Sequence, residues 1–485
     1  PPAPPAPPAA PPPPNAPLPP VPPPGQTLPP PPPPLVGLKP PAPPSAPAKP
    51  STRLGGLKGS LATHDRSIAL DKQEKSSTGF TGLQNLGATC YLNSLLQALF
   101  FLPEIRRRVY RFQYDQTLHG AEERSYLFQL QALFANLQMS DQAALSTKSL
   151  TNSFGWTSSD TFEQQDVQEF FHVLLNTIEE DEKLDPNLSS RDDVWINLSD
   201  VFQGEVASFV QCVEIGYESR SNAKFVDISL NFNGNSNIFD ALRQYHETVE
   251  LSGENRLKCE DGVLRDGKKG SFFYHLPQVL LLHLQRFVWD WETDSRVKLC
   301  DKMEFPARIS PEQVETILKA GRPDDDVLTT ELSEYFLHAV LVHIGGAQGG
   351  HYLSYIRVDE RWYEFNDADI KEVAEEVVLN TCGCDESVGA VKRMKAGTAY
   401  MLVYSREAAK GLRDVKVPEM MKERIDLANR KLREARLADE EKKNVVFCTL
   451  RGKVRDLDID RKVQLSKKMT VRSMSATIAQ DILSD

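Results

Sequence analysis

The spacing of apolar residues along the chain changes from helical to strand-like near residue 200. Leu92, Leu95, Leu96, Leu99 and Phe100 recur three and four apart, and so do Val167, Phe170, Phe171, Leu174, Leu175 and Ile178. That is the spacing of helices burying one face, so one helix is expected to open near Cys90 and a second to span roughly 162–180. After Val201 come short, apolar, partly alternating segments: VFQGEVASFVQCVEI, KFVDISLNF, QVLLLHLQRFVW, FLHAVLVHI, HYLSYIRV, RWYEF and AYMLVYS. Helices first and strands afterwards predict an α+β fold rather than alternating βαβ units. No internal repeat is visible.

Pro418 opens a charged stretch reaching about Asn444, in which Met421, Ile425, Ala428, Leu432 and Ala435 form a narrow stripe. A helix apolar on so little of its surface suits a connector. The closing segment, VVFCTLRGKVRDLDI then KKMTVRSMSATIAQDIL, predicts strand, turn, strand and helix. The sequence ends at Asp485 before such a unit closes a core, which reads as a domain cut short.

Composition separates off the other end. Residues 1–50 hold 28 of the 35 prolines and no acidic residue. Such a segment buries too little apolar surface to offset its ordering entropy and is expected to be disordered or polyproline II. Its runs suit SH3, WW or EVH1 modules, or form a solvated tail with no fixed partner. The boundaries expected are a Pro-rich tail and polar linker over 1–78, a globular block over 79–407, a connector helix over 414–443 and a partial unit over 444–485.

Net charge is −11, and −13 once Lys39 and Lys49 of the tail are set aside. An acidic body favours a basic protein partner over nucleic acid. No apolar run reaches the ~18 residues of a membrane span, and no signal peptide is visible. The seven cysteines are odd in number and scattered, which fits a reducing compartment, cytoplasmic or nuclear, rather than a disulfide framework.

Chemistry concentrates around GLQNLGATCYLNSLLQALF. Cys90 stands where the first helical stripe begins, and a helix N-terminus stabilises a thiolate through unpaired N–H groups and its dipole. The same N–H groups, with the side-chain amide of Asn85, suit the oxyanion of an acyl-transfer intermediate. An ordinary helix capped by Thr89, with a small buried cysteine, fits this stretch equally well.

A thiolate enzyme needs a histidine base and usually a residue that orients it. His338 and His343 lie inside an alternating strand, where packing explains them. His351 follows AQGG and begins the next strand, and paired glycines let an extended backbone approach. Folding HYLSYIRVDERWYEFND at about Asp359 brings residues 351 and 366 out at one end of neighbouring strands. Asn366 can then accept the ring N–H of His351, with Asp367 the alternative. Asp166 and Glu169 share one side of their helix and suit a basic substrate segment, although a solvated face is the plainer reading. Paired C-x-x-C motifs, the strong zinc signal, are absent, and Cys382-Gly-Cys384 is a lone pair. No metal or other cofactor is expected.

GLQNLGATCYLNSLLQALF resembles the cysteine box of the ubiquitin-specific proteases. YFLHAVLVHIGGAQGGHYLSYIR with RWYEFND resembles their histidine box, and LLLHLQRF an intervening strand. LTNSFGWTSSDTFEQQDVQEF is most similar to the herpesvirus-associated branch of that family. The resemblance covers about residues 80–406 and implies a papain-like fold of thumb, palm and fingers, with fingers not braced by zinc. It implies a cysteine isopeptidase acting on ubiquitin and ubiquitinated proteins, with Cys90 as nucleophile, His351 as base and Asn85 as oxyanion donor. The third member falls on Asn366, with Asp367 a supporting aspartate. Substrate contacts fall on Gln165, Asp166, Glu169, Gly349, Gly350 and Tyr352, of which Asp166 and Glu169 match positions contacting arginines of the ubiquitin tail. The C-terminal unit then reads as the start of a ubiquitin-like domain.

Overall fold

A computed structural model of the chain describes residues 75–156, 165–184, 198–246, 248–259, 261–323, 326, 328, 332–383, 397–407, 415–454 and 457–483. The proline-rich segment and the SH3, WW or EVH1 reading attached to it lie outside these residues, as does Cys384.

The helical half opens with α1 (Cys90–Phe100), followed by α2 (Pro103–Arg111), α3 (Tyr126–Met139) and α4 (Val167–Lys183). All eleven residues of α1 are buried, because it lies between α2 and α4 and against the sheet below. Two of its polar residues bond neighbouring backbone. Asn93 donates to Gln84 O at 3.2 Å and Gln97 to Thr81 O at 3.0 Å. These bonds tie down the segment of β1 (Gly82–Leu83), which pairs in parallel with β2 (Ala144–Leu145). Helix α4 begins at Val167, later than the expected 162. The Asp166 side chain accepts the Gln168 N–H at 2.8 Å from an extended backbone, which is an N-cap. Its apolar face is the expected one, from Val167 to Ile178.

Strands follow as β3 (Gly204–Cys212), β4 (Tyr217–Phe225), β5 (Ile228–Leu230), β6 (Val249–Leu251), β7 (Leu257–Lys258), β8 (Leu264–Arg265) and β9 (Gly267–His275). The later ones are β10 (Val279–Leu284), β11 (Phe287–Asp290), β12 (Ser295–Lys298), β13 (Arg308–Ile309), β14 (Tyr335–Gly346), β15 (Gly349–Val358), β16 (Arg361–Asn366), β17 (Asp369–Val373) and β18 (Gly397–Ser405). The main sheet runs β17-β16-β15-β14-β18-β10-β5, with β13 beside β14. It is antiparallel except where β5 joins β10. A second sheet runs β4-β3-β9-β6, and β11 and β12 form a separate hairpin.

The main sheet is covered on both faces. Val279, Leu281, Leu341 and Met401 pack with α1 to α4, whereas Leu280, Leu282, Val340 and Leu402 pack with α5 (Ile238–Tyr245) and α6 (Pro311–Lys319). Double coverage explains why β10 reads as an apolar run interrupted only by the buried His283. The arrangement is α+β, as the sequence pattern predicts.

Helix α7 (Glu419–Asn444) buries only Met421, Ile425 and Asn429. The expected stripe is corrected here: Ala428 and Ala435 are exposed, and the i, i+4, i+8 row ends in a polar residue. Asn429 bridges α3 and the segment after it, donating to Met139 O and accepting from Asp141 N, each at 2.9 Å. Beyond it stand β19 (Val445–Val454), β20 (Leu457–Ser466) and α8 (Val471–Leu483), in the expected order.

Candidate active site

Cys90 is the first residue of α1 and only 3 % exposed. Thr89 occupies the cap position without capping: its hydroxyl accepts the Leu86 N–H at 3.0 Å instead. The plain capped-helix alternative therefore does not describe this N-terminus, whose leading N–H groups receive no side-chain acceptor from the cap residue. The preceding loop turns at Gly87, where φ is +142°, a conformation that favours glycine. Asn85 organises the loop, since its amide oxygen accepts from Gly87 N at 3.0 Å and Thr89 N at 3.3 Å.

His351 comes from β15. The β15–β16 hairpin turns through Asp359 and Glu360, both at positive φ, as a two-residue hairpin with the favoured twist requires. That turn sets His351 Nε2 at 2.6 Å from Asn366 Oδ1. The amide oxygen accepts, so Nε2 carries the proton and Nδ1 is left for the sulfur. A hydrogen bond with Cys90 raises the His351 pKa to about 9; the bond to Asn366 and the nearby charge of Asp367 add to this, against the effect of burial. The two other histidines of this region behave as core residues. Burial lowers His338 to about 4 and His343 to about 3.

Asp367 follows at φ +53° and takes different donors. Its carboxylate accepts from Asn85 Nδ2 at 2.9 Å and from Asn93 Nδ2 at 2.8 Å. The open choice between Asn366 and Asp367 thus resolves into two positions with different partners. Asn93, which the sequence reading passed over, joins the nucleophile helix to this turn. Its signal was an amide that, like Gln97, stands on a helix every residue of which is buried.

The expected substrate contacts separate. Gln165 and Glu169 are exposed. Asp166 is already engaged as the α4 cap and accepts from the buried Tyr400 hydroxyl. Partial desolvation by its neighbours, then the adjacent Asp166 charge, raises the Glu169 pKa. Gly349 and Gly350 lie at the exposed start of β15. A Cβ on Gly350 would stand 2.2 Å from Ile344 O and 2.5 Å from His343 Nε2, so this glycine is required by its own hairpin whatever approaches from outside. Tyr352 is 3 % exposed and packs against His343 and Tyr400, with ring centroids 4.7 and 5.7 Å away. Its ring belongs to the core and not to an open surface, which corrects its placement as a direct contact. Among the described residues no group of three or more His, Cys, Asp or Glu is positioned to hold a metal ion.

A sulfur at a helix start, bonded to an imidazole that an amide holds, is the constellation of the thiol hydrolases as a class. The family model "Ubiquitin carboxyl-terminal hydrolase" matches residues 81–404, and the chain belongs to that family. It is 37 % identical over 351 residues to ubiquitin C-terminal hydrolase 13 of Arabidopsis thaliana, covering 69 % of this chain and 30 % of that protein. It is 35 % identical to ubiquitin carboxyl-terminal hydrolase 7 of Drosophila melanogaster, covering 73 % and 30 %. With ubiquitin carboxyl-terminal hydrolase 47 of Homo sapiens it is 31 % identical, covering 82 % and 32 %. The chain spans about a third of the length of these curated relatives.

Proposed function

We propose that this chain is a deubiquitinating cysteine protease, which hydrolyses isopeptide or peptide bonds at the C-terminal glycine of ubiquitin. The observation carrying the reading is His351, bonded on one side to Cys90 and on the other to Asn366. In this account the Cys90 thiolate attacks the glycine carbonyl carbon. The oxyanion is held by backbone N–H groups at the start of α1 and by the Asn85 N–H that Asp367 does not use. As the C–N bond breaks, His351 gives its proton to the departing amine, leaving a thioester on Cys90. His351 then takes a proton from water, whose oxygen attacks the thioester. Ubiquitin leaves with a free carboxylate, and the thiolate is restored.

The helices α1 to α4 correspond to the thumb, the main sheet to the palm and the β4-β3-β9-β6 sheet to the fingers of a papain-like protease. Gln165, Asp166, Glu169, Gly349 and Gly350 border the path of the tail, with Tyr352 beneath it. The β19–β20–α8 segment is the opening of a ubiquitin-like unit. A cytoplasmic or nuclear setting keeps the thiol reduced. Release of a fluorophore from the C-terminus of ubiquitin tests the reaction. Wild type should turn over and Cys90→Ala should not, whereas equal rates in the two would refute the reading.

A further inference from the structure

The β11–β12 hairpin reaches both walls of the site. In its register Phe287 opposes Lys298 and Trp289 opposes Arg296, so these four side chains share one face. Lys298 Nζ donates to His343 O at 2.7 Å and Gly345 O at 3.2 Å, holding the turn that leads into His351. Arg296 reaches the other wall. Its guanidinium lies over the Phe287 ring at 4.9 Å and 4.0 Å from Asp166 Oδ2.

Asp166 Oδ1 takes the Gln168 N–H and Oδ2 takes the Tyr400 hydroxyl, which leaves acceptor sites on both oxygens, and Arg296 approaches Oδ2. Arg296 is also a cation whose charge acts on Glu169. Of the two carboxylates proposed above to meet a basic substrate segment, Asp166 therefore already has an internal cation beside it, and the charge of that cation also reaches Glu169. At half exposure, that guanidinium is free to exchange.

We propose that Arg296 is a built-in competitor for the cationic side chains of the substrate tail, standing beside Asp166 until the tail displaces it. The inference rests on the ubiquitin hydrolase reading. An entering arginine gains the Asp166 carboxylate only by releasing Arg296 into water, so part of its binding energy is spent on the exchange. A tail without a cation leaves Arg296 in place and loses nothing by its presence. Arg296 thereby sets KM and leaves the chemical step untouched.

The test compares wild type, Arg296→Gln and Arg296→Lys on two substrates: ubiquitin with a C-terminal fluorogenic amide, and the same protein with its tail arginines changed to glutamine. Arg296→Gln should lower KM for the first substrate by about two- to five-fold, the range of a half-exposed ion pair, with kcat unchanged. It should leave the second substrate unaffected, and Arg296→Lys should restore the wild-type KM. Raising salt should shrink the difference. An unchanged or raised KM in Arg296→Gln, or an equal fall on both substrates, overturns the proposal. If wild type turns over neither substrate, the hydrolase reading itself fails. Equal melting temperatures of the three proteins guard against a folding artefact.

Discussion

The proton on His351 is the most informative feature at the scale of single residues. Its pKa of about 9 lies above the ordinary 6.5, chiefly because of the hydrogen bond with Cys90. A pKa raised on folding stabilises the protein fully below the ordinary value, and that contribution is lost as pH climbs through about 9. The His351 imidazolium should therefore persist through neutrality, and kcat/KM should fall on an alkaline limb near 9. Titration of His351 by NMR should give a value near 9 in wild type and a shift toward 6.5 in Cys90→Ala. Asn366→Ala removes the acceptor on Nε2. A hydrogen bond to a charged partner is worth about 1.5–3 kcal/mol, so kcat should fall about 10- to 100-fold without a matching rise in KM. Chemistry and hairpin geometry made Cys90, His351 and Asn366 candidates in the sequence, with an inert cysteine and Asp367 left open, and only the family resemblance joined them into one set. Asn93 was no such candidate, because its bond to Asp367 joins positions 274 residues apart.

The elements show which rules of patterning prevailed. Helix α4 kept its predicted face but lost its predicted start, because the Asp166 cap holds an extended backbone. The glycine pair at the start of β15 also answers to a demand of its own hairpin. Gly350 lies at the exposed end of its strand, yet the His343 ring and Ile344 carbonyl fill the space a side chain would need. That requirement comes from the neighbouring strand and cannot be read from local sequence. Gly350→Ala should force the hairpin apart next to His351. Its cost, about 1–3 kcal/mol as overpacking usually is, should appear as a lower urea midpoint together with reduced kcat.

Across the whole molecule, the α+β arrangement was legible because the change of period near residue 200 marks the passage from helices to strands. Which helices cover which face of the main sheet was not, since a run such as VLLLHL is apolar toward both sides. The docking of α7 was equally hidden, because its decisive residue is polar. Asn429→Ala should leave Met139 O and Asp141 N without their partner. The expected loss is about 1–3 kcal/mol, with faster amide exchange along α7 and unaltered chemistry at Cys90. The measurement that bears most directly on the central claim is covalent labelling by ubiquitin bearing a C-terminal electrophile, with the modified residue identified by mass spectrometry. The account predicts a single adduct on Cys90 that is lost in Cys90→Ala and slowed in Asn366→Ala. An adduct on another cysteine, or none on a folded protein, would contradict it.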